Sequence, residues 1–306
     1  MSGVFGDWCF SSKQLIIGKT ITKRDVVATE TVVSGLCFGE GPRWHDGELW
    51  FSDMHANTVY RLSASGDLTE VFKLDGDQPS GLGWLPDGRL LVVSMTRRQL
   101  LVQNGATLDV LADLSGLASY LCNDMVTDQQ GRSYVGNFGF DLHSGAQPKN
   151  AELILVTPSG EARLVADDLA FPNGTVITPD GATLIVGESM GRRLTAFDIV
   201  ENGDLVNRRT WAEMEGALPD GICLDAQGGI WVASPMSNEA LRILEGGEVT
   251  DRVSVVNQAY ACMLGGDDRK TLYILTSGSS MPEDCRRDKS AAIETVRVEI
   301  AGAGLP

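Results

Sequence analysis

One pattern recurs six times along the sequence: a glycine-containing lead-in, a short apolar run, a tight turn and a second apolar run. Asp-Gly and related pairs between two apolar runs are strong hairpin signals, because such turns need positive φ. The turn residues fall at Asp46, Asp87, Gln130, Asp180, Gln227 and Asp268. Their spacings of 41, 43, 50, 47 and 41 residues match the period of four-stranded propeller blades. The sequence therefore predicts an all-β fold, a six-bladed β-propeller.

The two ends of the chain have separate assignments. The last repeat lacks one strand, and the β-branched run from Val26 to Val33 is placed to supply it and close the ring. We expect residues 1–22 to form an N-terminal extension, residues 23–300 to form a single propeller and residues 301–306 to be a loose tail.

Composition excludes several classes of function. The chain has 25 basic and 41 acidic residues, so its net charge of −16 disfavours nucleic acid as a partner. No apolar run approaches the roughly 20 residues of a membrane helix or the core of a signal peptide. We therefore expect a cytoplasmic protein, a monomer or small homo-oligomer, with no membrane partner. Its six cysteines form no Cys-x-x-Cys pair and are expected to be buried thiols.

The position that precedes each turn by six or seven residues carries the chemistry. It is occupied by Ser80 and Ala261 in two repeats and by an oxygen ligand in the other four: Glu40, Asn123, Asn173 and Asp220. Equivalent positions at the entry of inner strands form a ring around the mouth of a propeller's channel. Two carboxylates and two amide oxygens suit Ca²⁺ best, with Mg²⁺ or Mn²⁺ possible. Zn²⁺ is an alternative that the absence of His and Cys disfavours.

A purely structural interpretation of these residues stays open. Asn and Asp before Gly commonly form turns, so Asn173-Gly174 and Asp220-Gly221 could simply shape loops. The common register supports a polar ring more firmly than it supports a metal.

Several segments resemble the regucalcin/gluconolactonase family between about Cys37 and Ser277. They are Phe38-Gly39-Glu40-Gly41-Pro42-Arg43-Trp44, Asn123-Asp124, Phe171-Pro172-Asn173-Gly174, the run from Leu218 to Ala226, and Ile230-Trp231-Val232-Ala233. The resemblance implies a six-bladed propeller with a divalent metal at the channel mouth, held by Glu40, Asn173 and Asp220, with Asn123 near or on the metal.

The same resemblance implies a hydrolase that opens lactones. A bound dication would polarise the ester carbonyl, and Asp220 would accept a proton from the attacking water while contacting the metal. Asn123 would orient the substrate or this water.

The sequence departs from the sugar-lactone members of the family at Leu121, where those members have an arginine that contacts sugar hydroxyls. An apolar side chain cannot pair with a polyol, so we expect a lactone or ester less polar than an aldonolactone. Residues expected to contribute to substrate binding are Leu121, Tyr120, Phe138, Phe171, Met190 and His143, with Phe140 nearby. Packing between blades is the alternative for each aromatic residue.

The remaining candidates are weaker. His45 and His55 are expected at the surface, and Arg97-Arg98 either faces the mouth or forms a solvated turn. Two alternative functions stay open: an organophosphate or aryl-ester hydrolase that uses the same site, and a non-catalytic propeller whose metal is structural.

Overall fold

The computed structural model describes residues 28–305, which form six four-stranded antiparallel sheets arranged as the blades of a β-propeller. The first strand, β1 (Glu30–Leu36), belongs to the last blade. Blade 1 contains β2 (Gly39–His45), β3 (Glu48–Asp53), β4 (Thr58–Leu62) and β5 (Leu68–Lys73). Blade 2 contains β6 (Pro79–Trp84), β7 (Leu90–Ser94), β8 (Gln99–Asn104) and β9 (Thr107–Asp113). Blade 3 contains β10 (Cys122–Thr127), β11 (Ser133–Asn137), β12 (Ala151–Val156) and β13 (Ala162–Leu169).

The second half of the chain repeats this plan. Blade 4 contains β14 (Pro172–Ile177), β15 (Thr183–Glu188), β16 (Arg193–Ile199) and β17 (Leu205–Glu213). Blade 5 contains β18 (Ile222–Leu224), β19 (Ile230–Ser234), β20 (Glu239–Ile243) and β21 (Val249–Ser254). Blade 6 contains β22 (Gln258–Gly265), β23 (Thr271–Ser277) and β24 (Ala291–Arg297), with β1 outermost. Inner strands of successive blades contact each other around the ring, and β22 contacts β2.

The ring closes between the N-terminal strand and the last blade. Strand β1 pairs antiparallel with β24, with Glu30 opposite Thr295 and Leu36 opposite Ala291. This strand begins four residues later than the expected run, of which Val26 and Val27 lie outside the described residues. The expected extension at residues 1–22 also lies outside them.

The C-terminal segment is ordered, and the expectation of a loose tail was wrong for residues 301–305. Leu305 exchanges two backbone hydrogen bonds with Ile177, at the end of β14, and the Ala303 amide donates to the carbonyl of Leu224. Gly302 donates in turn to Arg269 of blade 6. The tail thus crosses under three blades, where the free backbone groups at the inner-strand ends satisfy its own.

Two insertions lie at the opposite end of the propeller from the tail. Residues 138–150 connect β11 to β12, and residues 278–290 connect β23 to β24 and carry the short helix α1 (Pro282–Asp288). Blade cores are filled by aliphatic side chains from the strands, and the five described cysteines are buried and free, as expected. None of the described helices is long and apolar enough to cross a bilayer.

Candidate active site

A cavity of about 300 Å³ opens at the mouth of the central channel. Its lining includes all four predicted ligand residues, together with side chains from the two insertions. Glu40, Asn123 and Asn173 are each the second residue of an inner strand, and Asp220 precedes β18 by two residues. All four are buried, with between 5% and 8% of each residue exposed. The common register therefore places four oxygen-bearing side chains at the floor of one cavity.

The glycine that follows three of these residues sets how closely the blades approach. A Cβ on Gly174 would lie 2.4 Å from the amide nitrogen of Ile222, and one on Gly221 would lie 2.7 Å from the Cα of Ala261. The amide of Gly174 donates to the carbonyl of Asp220 in the next blade, at 3.1 Å. Neither glycine has positive φ. These Asx-Gly pairs are therefore inter-blade contacts, not the turns considered as an alternative.

Hydrogen bonds orient the two amide side chains. The nitrogen Nδ2 of Asn123 donates to the carbonyl of Pro172 at 3.3 Å, and Nδ2 of Asn173 donates to the hydroxyl of Ser189 at 3.2 Å. That hydroxyl donates to the carbonyl of Pro219 at 2.6 Å. Since each amide nitrogen is engaged with protein, the carbonyl oxygen of each side chain is left for the cavity.

The two carboxylates are poorly compensated. The Oδ1 atom of Asp220 is buried without a hydrogen-bond partner, and Glu40 accepts one long hydrogen bond, 3.4 Å, from the amide of Gly41. Burial raises the pKa of Asp220 to about 8, with a hydrogen bond from Asn173 opposing and the charge of Asp124 adding to the rise. Burial, followed by the charges of Asp220 and Asp124, raises the pKa of Glu40 well above its ordinary value. Two such groups in one floor favour a bound cation.

This donor set fits a hard divalent ion. The orphaned Oδ1 of Asp220, the carboxylate of Glu40 and the amide oxygens of Asn123 and Asn173 are the oxygen ligands that Ca²⁺ accepts. Among residues 28–305, no cluster of three or more His, Cys, Asp or Glu side chains is placed to hold a metal. An ion held here would therefore depend on the asparagine oxygens.

A buried ion pair joins the inner strands of blades 1 and 3. The guanidinium of Arg43 lies 2.6 Å from Oδ1 of Asp124 and donates to the carbonyls of Leu82, at 2.9 Å, and Met125. Only 3% of the Arg43 side chain is exposed. Arg43 therefore compensates Asp124, the neighbour of Asn123, within the protein and leaves the carboxylates of Glu40 and Asp220 to the cavity.

The walls of the cavity are mainly apolar. Of the predicted substrate-binding residues, four line it: Phe138, Phe171, Met190 and His143. The rings of Phe138 and Phe171 pack with their centroids 4.6 Å apart. Tyr120 and Leu121 are not lining residues; they are half-buried and pack against the same aromatic cluster, as does Phe140. Leu121 therefore packs behind the residues that line the cavity, and the cavity's apolar character comes mostly from other side chains.

Part of the wall has little signal in the sequence. The apolar residues Phe38, Met54, Leu142, Leu218, Pro235 and Met236 and the polar residues His55, Ser189, Gln258, Tyr260 and Ser280 also line the cavity. Most lie in loops whose meeting depends on the complete ring, so no local pattern identified them. Phe38 and Leu218 are the first residues of two segments that resemble the family, and their closeness in sequence to Glu40 and Asp220 was the available signal.

The prediction for His55 was wrong. It is 4% exposed and lines the cavity, since a short 3₁₀ turn, Met54–Ala56, directs the chain inward after β3. His45 is half-buried at the far end of β2, stacked on Trp84 with ring centroids 3.9 Å apart. Arg97 donates to the carbonyl of Asp75 and Arg98 to that of Ala118, and neither lines the cavity.

The sequence matches one family model over residues 38–278, described as the SMP-30/Gluconolactonase/LRE-like region. The chain belongs to this family. The match covers the propeller from its first inner strand to the end of β23, and it includes all four residues at the cavity floor.

Named relatives include two lactonases. A 6-deoxy-6-sulfogluconolactonase from Pseudomonas putida is 25% identical over 277 residues, covering 88% of this chain and 94% of the relative. The pentonolactonase XacC of Haloferax volcanii is 24% identical, with 92% and 97% covered. Among solved structures, the calcium-binding protein regucalcin of Agrobacterium tumefaciens aligns with a TM-score of 0.77 at 21% identity, covering 92% of this chain and 97% of that one. This likeness confirms the six-bladed propeller.

Proposed function

We propose that this protein is a metal-dependent lactonase, a carboxylic-ester hydrolase that opens a cyclic ester to a hydroxy acid. The observation that carries the proposal is the buried, unpartnered Oδ1 of Asp220 beside the carboxylate of Glu40 and two free amide oxygens. Family membership and the two relatives named as lactonases support the reaction class. The relative described as calcium-binding supports Ca²⁺ as the ion.

We assign each residue of the cavity floor a separate role in hydrolysis. The bound dication would polarise the lactone carbonyl and stabilise negative charge on its oxygen. Oδ1 of Asp220, free of protein partners, would accept a proton from the water that attacks the carbonyl carbon. The acyl–oxygen bond of the ring then breaks, and the departing alkoxide takes up this proton. The carbonyl oxygen of Asn123, whose amide nitrogen donates to Pro172, would orient the water or the substrate.

The walls favour an uncharged substrate of low polarity. No Lys or Arg side chain lines the cavity among residues 28–305, so an anionic substituent held against the walls, away from the ion, would be desolvated without a cationic side chain. Aromatic and methionine side chains exclude water from the ester and contact apolar substituents. We infer a small neutral lactone that is less polar than an aldonolactone.

Hydrolysis by metal-stripped protein tests the proposal. Acid release is followed on γ-butyrolactone, γ-octalactone and glucono-δ-lactone, before and after addition of Ca²⁺, Mg²⁺, Mn²⁺ or Zn²⁺. We expect activity that returns with one of these ions and is highest on γ-octalactone. The Asp220→Asn variant is expected to lose turnover. The matched control is Asp225→Asn, because the Asp225 carboxylate is buried at the other end of the same blade and is paired with Arg242.

Three results would contradict the proposal. Equal activity with and without metal would remove the ion from the mechanism, and full turnover by Asp220→Asn would remove the assigned base. Faster turnover of a phosphotriester than of every lactone would assign the cavity to a different ester class.

A further inference from the structure

His55 has a defined environment at the edge of the cavity. The carboxylate of Asp53 accepts hydrogen bonds from the amides of Phe38, at 2.8 Å, and Ala56, at 3.3 Å, and so fixes the turn that carries His55. The imidazole packs on the ring of Phe38, with centroids 5.1 Å apart. The ring is therefore held in place by its own blade.

Two neighbours from other blades determine which ring nitrogen carries the proton. The amide nitrogen Nε2 of Gln78 lies 2.9 Å from Nδ1 of His55, and the carbonyl oxygen of Ser280 lies 3.4 Å from its Nε2. An amide nitrogen only donates and a carbonyl oxygen only accepts. Nδ1 is therefore the acceptor and Nε2 the donor. Burial lowers the pKa of His55 to about 4, so the ring is neutral at neutral pH.

The Nε2 proton is only weakly engaged. Its distance of 3.4 Å to Ser280 exceeds the usual 2.7–3.2 Å of an N–H···O hydrogen bond. Two other donors of the cavity have closer partners: the amide nitrogen of Asn173 donates to the hydroxyl of Ser189, and the hydroxyl of Tyr260 donates to the side-chain carbonyl of Gln258. A substrate oxygen could therefore accept a hydrogen bond from Nε2–H of His55 and displace only the weak contact with Ser280.

We propose that His55 is a specificity-determining residue, whose Nε2–H donates a hydrogen bond to an oxygen that the lactone carries outside its ester group. This inference rests on the proposed lactone hydrolysis and narrows its substrate class to neutral lactones with one such acceptor beside an apolar remainder. Met190 and Met236 lie on blades 4 and 5, whereas His55 lies on blade 1. A bound ligand therefore meets a donor in one sector of the mouth and apolar side chains in another.

The test compares α-hydroxy-γ-butyrolactone with γ-butyrolactone. A net neutral hydrogen bond contributes about fivefold in affinity. We expect the wild type to have a KM about fivefold lower for the hydroxylated lactone, and His55→Phe to abolish this preference with kcat changed less than twofold. His55→Gln, which keeps an N–H donor, should restore part of the preference. His45→Phe is the matched control, because His45 stacks on Trp84 away from the cavity, and it should preserve the preference.

The inference is overturned if the wild type has no preference, or if His55→Phe raises both KM values equally. Failure of the proposed function is recognised separately. If no lactone is hydrolysed, calorimetric binding of 3-hydroxy-2-pyrrolidinone and 2-pyrrolidinone, which resist hydrolysis, replaces KM. A preference for the hydroxylated lactam that His55→Phe removes then supports the role of His55, and its absence refutes it.

Discussion

Replacing Asp220 by Asn should stabilise the metal-free protein and weaken its response to Ca²⁺. In the metal-free state Asp220 is a buried carboxylate with an unpartnered oxygen near Glu40. Because burial raises the pKa of Asp220 to about 8, the folded chain at neutral pH either holds a buried charge or takes up a proton. Asn removes this cost, which is on the order of 1–3 kcal/mol. The unfolding entropy of the 278 described residues is about 0.6 kcal/mol/K, which converts this to a rise in Tm of about 2–5 °C.

The metal response changes in the opposite direction. At a Ca²⁺ concentration 100 times its Kd, binding stabilises the wild type by about 2.7 kcal/mol, or about 5 °C. A 100-fold loss of affinity in Asp220→Asn would leave about 0.4 kcal/mol, which is less than 1 °C at the same Ca²⁺ concentration. The variant should therefore be more stable than the wild type in chelator and less responsive in Ca²⁺.

Differential scanning calorimetry in EDTA and in Ca²⁺ measures both quantities. Asp225→Asn is the control, because Asp225 accepts a 2.6 Å hydrogen bond from Arg242 and two from backbone amides. The Asp225→Asn substitution should lower Tm both in EDTA and in Ca²⁺ and leave the rise in Tm caused by Ca²⁺ unchanged. An Asp220→Asn protein that is destabilised in EDTA and keeps the full Ca²⁺ shift would refute the reasoning.

Three further predictions concern the walls, the ion pair and a buried glutamate. Across γ-lactones with substituents of increasing length, KM should fall about two- to fourfold per methylene. Met236, which is 47% exposed at the mouth, should contribute to this trend, so Met236→Ser should reduce the fall in KM per methylene without changing the KM for γ-butyrolactone. Arg43→Met should cost about 3–5 kcal/mol in urea unfolding by leaving Asp124 unpaired, and Arg43→Met with Asp124→Asn should recover most of it; equal losses in both would argue against the pair. Burial raises the pKa of Glu188, but hydrogen bonds from Arg193, Thr195 and Ala170 outweigh burial, so the pKa is lower than usual. The ionised Glu188 therefore stabilises the fold above its ordinary pKa, and this stabilisation is lost as the pH falls through the lowered pKa. Glu188→Gln should therefore reduce Tm at pH 7 and converge with the wild type in acid; a constant difference down to pH 3 would contradict this.

The propeller and the cavity floor were predictable because their signals are local. Each Asp-Gly or Gln-Gly turn defines its own hairpin, and counting back from the turn reaches Glu40, Asn123, Asn173 and Asp220 without knowledge of the tertiary structure. These residues occupy equivalent places in space because every blade repeats the same geometry.

The walls and the tail were not predictable in the same way. His55 lies after a hairpin strand in a segment that reads as a surface loop, and its burial depends on Phe38, Gln78 and Ser280. The residues from Ala301 to Leu305 have little local propensity, and blades 4 to 6 supply their hydrogen-bond partners. Such contacts form between segments far apart in the chain, so no single stretch of sequence encodes them.

The glycine contacts between inner strands have a consequence for how this protein can diverge. Gly41, Gly174 and Gly221 bring backbone against backbone, so any larger residue there would push two blades apart and displace the floor. The insertions at residues 138–150 and 278–290 carry no such constraint between blades, yet they supply Leu142, His143 and Ser280 to the wall. Substitutions in these loops can therefore change what the mouth admits without moving the four oxygen-bearing side chains beneath it.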